Sequence, residues 1–163
     1  MDYITILFIA SIAIFIAGSA MVIYQRRKAS SSKNISPKQM QLQAYERLTL
    51  LADRIALPNL IARLNQSDAH AKELQMLLTQ TIKQEYEYNI TQQIYVSGDA
   101  WAMVKNLKEQ NTYIINQIAD TLPANATGLD LSKKILSFCS SNEQGKFHEA
   151  VSAVLSFEAK KLL

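Results

Sequence analysis

Two carboxylates, Glu85 and Glu87, stand among tyrosines and amides in the stretch Glu85-Tyr86-Glu87-Tyr88-Asn89, and paired carboxylates are what acid–base catalysis asks for. Their spacing works against it. Positions two apart on a helix point about 200° from each other, so the pair cannot address one substrate without groups from other helices. A catalytic reading therefore reduces to a membrane-attached enzyme with an unrecognised carboxylate site around Glu85.

The other reactive side chains are few. Cys139 is the single cysteine, which removes intramolecular disulfides and cysteine-rich zinc sites and suits a small buried hydrophobe. His70 and His148 lie in no His-Glu-x-x-His motif, and His148 has no Glu three residues before it as di-iron bundles require. No Gly-x-x-x-x-Gly-Lys loop, Gly-x-Gly-x-x-Gly turn or Gly-x-Ser-x-Gly elbow occurs. No catalytic, cofactor-binding or metal-binding residues are assigned.

Binding chemistry is better represented. On a continuous helix Glu85, Tyr88, Gln92 and Tyr95 share one face, with Trp101 following and Tyr45 and Arg47 upstream. Buried, these groups would form a polar layer, hydroxyls and amides satisfying one another with Arg47 against Glu85. Exposed, they would suit a protein partner, since Tyr, Trp and Arg dominate interface hot spots. Tyr45, Arg47, Glu85, Tyr88, Gln92, Tyr95 and Trp101 are the partner-binding candidates.

The elements that must carry these residues divide the 163-residue chain unevenly. Ile4 to Ile23 is an uncharged run, about 30 Å long as a helix and matched to a hydrocarbon core. Arg26, Arg27, Lys28 and Lys33 follow it, against Asp2 alone before it, which predicts an N-terminus outside and a cytoplasmic C-terminal domain. No basic segment precedes the run and apolar residues continue to Tyr24, so an uncleaved anchor is expected rather than a signal peptide. Within the run Ala10, Ala13, Ala17 and Ala20 form one small-residue stripe with Gly18 beside it, a seam on which another helix, including a second copy's, could pack.

Residues 29–36 are small and polar and read as a tether. From 36 to 163 Lys and Arg balance Asp and Glu, 13 against 13, which gives no support for nucleic-acid binding. The resulting domains are an anchor with basic neck over 1–28, the tether over 29–36 and a helical domain over 37–163.

The body shows no strand pattern. Its first helix is expected from Pro37 to Ala56 with Ala44, Leu48, Leu51 and Ile55 buried; Glu46-Arg47-Leu48 and Asp53-Arg54-Ile55 echo each other at seven residues along it. Pro58 interrupts the chain. A short piece over 59–64 is followed by a long helix over 68–96, started by Ser67 and Asp68, and then by a helix over 99–122. Heptad spacing leaves Asn111 two placements, on the seam, where it fixes register at a cost in stability, or exposed on a slightly rotated helix. Thr127 and Asp130 predict a capping box before a short helix, and Ser140 and Glu143 another before the last. The fold class is all-α, one membrane helix followed by a bundle of about five helices.

Gln43-Ala44-Tyr45-Glu46-Arg47-Leu48, Glu85-Tyr86-Glu87-Tyr88-Asn89, Gln92-Gln93-Ile94-Tyr95-Val96-Ser97 and Ala100-Trp101 together resemble an uncharacterised family of small Bacteroidota proteins. The resemblance covers roughly residues 40 to 137. It implies an N-terminal membrane helix with an all-helical body and no assigned activity. The expectation is a non-enzymatic interaction or assembly subunit of a bacterial inner-membrane complex, with the bilayer and a protein as its partners.

Overall fold

The computed structural model describes residues 3, 19–25, 36–64 and 66–163, and the chain divides into two compact units, Met1–Ser36 and Pro37–Leu163. In the first unit residues 19–25 are helical and exposed. Most of the predicted span, with Ala10, Ala13, Ala17, Gly18 and the flank Arg26, Arg27 and Lys28, lies outside the described residues. Among those that are described, no helix is long and apolar enough to cross a membrane.

The second unit is all-helical: α1 (Pro37–Ile55), α2 (Leu57–Leu64), α3 (Ala71–Tyr88), a 3-10 turn (Ile90–Ile94), α4 (Gly98–Asp120), α5 (Gly128–Ser141), a second 3-10 turn (Glu143–Lys146) and α6 (Phe147–Lys160). Among the described residues of this unit these are six α-helices where about five were expected. α1 packs along α6, and α3 packs against α4 and α5. Leu48, Leu51, Ile55, Leu74, Leu78, Ile82, Leu107, Ile115, Leu131 and Ile135 meet in one core, at the 3.6-residue spacing that commits one stripe of each helix to burial.

The break between α1 and α2 shows how the chain meets the cost of Pro58. Proline cannot donate to the carbonyl four residues back, and the carbonyls around such a break need other donors. Side chains supply them. Asn59 Nδ2 donates to the Asp53 carbonyl at 3.1 Å, Arg63 Nη2 to the Arg54 carbonyl at 3.1 Å, and Asn111 Nδ2 to the Ile55 carbonyl at 2.7 Å. Asn111 is buried, so of its two open placements it takes the seam, and its amide ties α4 to the end of α1.

Two helix starts differ from expectation. Thr127 caps α5 as anticipated, its hydroxyl and backbone N–H meeting Asp130, but Ser140 lies inside α5. Asn142 caps the following 3-10 turn, and α6 begins only at Phe147. α3 starts after His70, whose backbone N–H donates to Glu73 Oε2 at 3.3 Å, not at Ser67. Reciprocal backbone bonds pin this start to that of α5: Ala71 N–H to the Ala126 carbonyl and Gly128 N–H to the Ala69 carbonyl. A Cβ at Gly128 would stand 2.2 Å from the Gln66 carbonyl oxygen, so only glycine permits this approach.

The largest departure lies at the end of α3. The helix expected to run to 96 stops at Tyr88, where Asn89 is buried and turns its amide back onto the Glu85 carbonyl at 2.9 Å. The chain continues as a 3-10 turn, so Gln92 and Tyr95 do not extend the helical face that carries Glu85 and Tyr88.

Candidate functional site

The seven-residue echo in α1 gives the helix three differently charged edges. Seven residues are two turns less about 20°, so Glu46 stacks on Asp53, Arg47 on Arg54 and Leu48 on Ile55. Leu48 and Ile55 enter the core. Glu46 and Asp53 border a groove between α1 and α6. Arg47 and Arg54 border a cleft between α1 and α3.

That cleft, about 580 Å³, is lined from α1 by Arg47, Leu50, Leu51 and Arg54, and from the α3 side by Thr81, Gln84, Glu85, Tyr88 and Asn89. Leu51 is buried and forms its floor, whereas Leu50 and Tyr88 are 58% and 75% exposed. α3 ends at Tyr88, and the ring of that last residue stands exposed on the cleft wall.

Two arginines converge on one oxygen of Glu85. Arg54 donates to its Oε1 through Nε at 2.9 Å and through Nη2, and Arg63 Nη1 adds a third donor at 3.2 Å. The expected partner was Arg47; Arg54, seven residues on along the same edge of α1, takes that place, and Arg63 joins it from α2. Arg54 first, then Arg63, lower the Glu85 pKa against the opposing effect of burial. Arg47 is exposed and makes no ion pair with any described residue.

The remaining candidates go elsewhere. Tyr45 is 5% exposed, and its hydroxyl donates to Glu158 Oε2 at 2.5 Å while accepting the Ser97 N–H at 3.1 Å. Gln92 is buried, and Tyr95 is 37% exposed. Trp101 is half-buried and stacks on Tyr86, ring centroids 5.2 Å apart, and Lys108 Nζ lies over the Tyr86 ring, 4.9 Å from its centroid. Of the seven candidates, then, the cleft gathers Arg47, Glu85 and Tyr88.

The profile described as a family of unknown function, DUF7935, matches residues 2–162. The chain belongs to the DUF7935 family. No curated protein and no solved structure matches it. Membership in DUF7935 therefore brings no activity with it, and the chemistry rests on the side chains themselves.

In this DUF7935 chain the site that sequence reasoning missed is the one around Glu158. Ser97 Oγ donates to Glu158 Oε2 at 2.6 Å and accepts the Ala100 N–H at 3.1 Å, so one hydroxyl both caps α4 and binds α6. The Ser97 and Tyr45 hydroxyls hold the Glu158 carboxyl below its ordinary range, Ser97 contributing most. Burial, then the bond to Glu158, pushes the Tyr45 phenol up. A signal did exist: Glu158 continues the apolar stripe of Val151 and Leu155 at spacings of four and three, where a carboxylate demands partners.

Cys139 is buried, burial raises its pKa, and Gly145 presses on it so closely that a Cβ there would stand 2.5 Å from the Cys139 Cα. Such a thiol is a poor nucleophile. Among the described residues no three His, Cys, Asp or Glu side chains gather as a metal site.

Proposed function

We propose that the protein is a non-enzymatic docking subunit held at the bacterial inner membrane by the 4–23 segment, with its helical domain in the cytoplasm. The bilayer and a protein are its partners, and the cleft between α1 and α3 is where the protein engages. The observation that carries this reading is Tyr88, a large aromatic 75% exposed on the wall of a cleft whose opposite wall presents Leu50 and Arg47, which makes no ion pair among the described residues. Aromatic and arginine side chains beside a desolvatable apolar floor are the composition of interface hot spots.

The enzymatic alternative asks Glu85 to move protons. A carboxylate gripped by Arg54 and Arg63 is a weak base and stays ionised, so the geometry favours a bracing role. Topology draws its support from the cationic flank Arg26, Arg27 and Lys28; a reporter fused after Leu163 should be active only as a cytoplasmic fusion, and periplasmic activity would reverse the placement.

The docking reading is tested by a photo-crosslinking amino acid at position 88 in living cells, with position 113 as control, since Tyr113 is exposed on α4 and outside the cleft. A protein captured from 88 and not from 113 is the expected result. Equal capture from both, or none from 88, would remove the site.

A further inference from the structure

We infer that the α1–α3 cleft takes an acidic peptide segment of its protein partner, a carboxylate set beside an aromatic or aliphatic side chain; this rests on the docking reading above. The charges at the cleft select that chemistry. Three guanidinium groups, Arg47, Arg54 and Arg63, stand at or beside the cleft against one inward carboxylate, Glu85, and Arg54 and Arg63 already share it. The next carboxylate on α3, Glu87, is spent on Lys83, 3.8 Å away on the same helix. Glu46 and Asp53 are turned to the groove with α6 by their place in the seven-residue echo. The cleft is thus left with cationic character and with Arg47 free to receive a carboxylate, which its planar fork grips in two places.

The apolar half of the ligand follows from Leu50, Leu51 and Tyr88, which surround the position that Arg47 overlooks. A bare anion would leave Leu50 and Tyr88 in water, and a bare hydrophobe would bury Arg47 unpaired, at a cost. A side chain of each kind in one short segment satisfies both walls. Gln84 supplies an amide along the α3 wall for the peptide backbone, and the Thr81 hydroxyl, whose proton goes to the Leu77 carbonyl at 2.7 Å, can serve there only as an acceptor.

The test uses the full chain in nanodiscs of neutral lipid and three fluorescent 12-residue peptides: Glu alternating with Leu and Phe, the same with Lys for every Glu, and the same with Ser for every Leu and Phe. The first should bind, and the other two at least about tenfold more weakly. Arg47→Glu should reverse the preference between the Glu and Lys peptides, and Tyr88→Ala should weaken the Glu peptide about tenfold, both at unchanged melting temperature. Binding of the Glu peptide that Arg47→Glu leaves untouched, or Lys peptide binding as tight as Glu peptide binding, would overturn the proposal. If Arg47→Glu lowers melting, Arg47→Gln replaces it, with the expectation of lost Glu-peptide affinity and the same overturning result. Should the crosslinker at 88 capture a protein through a neutral or basic segment, the acidic specificity falls while the docking reading stands. No capture at 88 removes the docking reading itself.

Discussion

The two sides of α1 each carry a carboxylate tie, and the ties are built from opposite materials. Toward α6, Glu158 is held by neutral hydroxyls, Tyr45 and Ser97, over a buried ring. Toward α3, Glu85 is held by two arginines whose side chains remain about two-fifths exposed and about a third exposed. A charge bonded to neutral donors has no opposite charge in that bond for salt to screen, and here it knots three helices with little sensitivity to salt. A charge bonded to charges at the surface contributes little to stability and is screened. The α6 side is therefore the structural one, and the α3 side keeps charge available for a ligand.

Substitutions on the α6 side should produce the largest losses. Tyr45→Ala removes a buried ring and a shared hydroxyl together and should cost about 3–5 kcal/mol in chemical unfolding. Tyr45→Phe keeps the ring and should cost about 1 kcal/mol. If the two variants unfold alike, the hydroxyl is what matters and the packing contribution assigned to Tyr45 is wrong. Combining Tyr45→Phe with Glu158→Gln should cost less than the sum of the single changes, because both act on one bond.

Acid sharpens the contrast. Both carboxyls titrate below their ordinary range in the folded protein, Glu158 through Ser97 and Tyr45, Glu85 through Arg54 and then Arg63. A group depressed by folding stabilises the native state above its unfolded pKa, and that stability drains as pH falls through the range down to the folded value. Melting temperature should therefore drop on acidification below the ordinary carboxylate range, and less steeply in Glu158→Gln and in Glu85→Gln. Adding about 1 M salt, where the screening length shrinks to roughly 3 Å, should flatten the Glu85 contribution and spare that of Glu158. Equal salt sensitivity would mean that the two ties are not of different kinds. Arg54→Ala belongs lower on the scale, at about 1 kcal/mol or less at low salt.

What could be read in advance follows the range of the interactions. The buried stripe Ala44, Leu48, Leu51 and Ile55, the break at Pro58 and the Thr127–Asp130 cap are encoded within a few residues, and each is found in place. The Ser140–Glu143 pattern failed because Asn142, not Ser140, takes the cap: its side chain accepts the Gln144 N–H and starts the 3-10 turn that holds Glu143, one residue beyond the end of α5. The end of α3 had no proline or glycine to announce it; Asn89 makes it with an amide folded back on Glu85. Glu85 and Arg54 are 31 residues apart, and Tyr45 and Glu158 are 113 apart, separations at which spacing along the chain says nothing about who meets whom. The charged edges of α1 were visible as an echo, but which neighbour each edge would face was not.

Tyr88 gives the smallest stability effect and the most informative one. An aromatic ring that is 75% exposed loses little on folding, so Tyr88→Ala should move the unfolding free energy by no more than about 0.5 kcal/mol, within the range of ordinary surface substitutions. Had Glu85, Tyr88, Gln92 and Tyr95 formed one buried polar layer, the same change would have left partners unsatisfied and cost about 1–3 kcal/mol. Measuring unfolding and crosslink capture in one preparation separates these cases, with capture tested from a neighbouring cleft position such as Gln84. Unchanged stability with lost capture identifies Tyr88 as an anchor for the partner. A stability loss above about 1 kcal/mol would instead make Tyr88 part of the fold and move the candidate interface away from the end of α3. The contrast between the two sides of α1 would then collapse, because the α3 side would also be structural and Arg47 would be the remaining group free for a ligand.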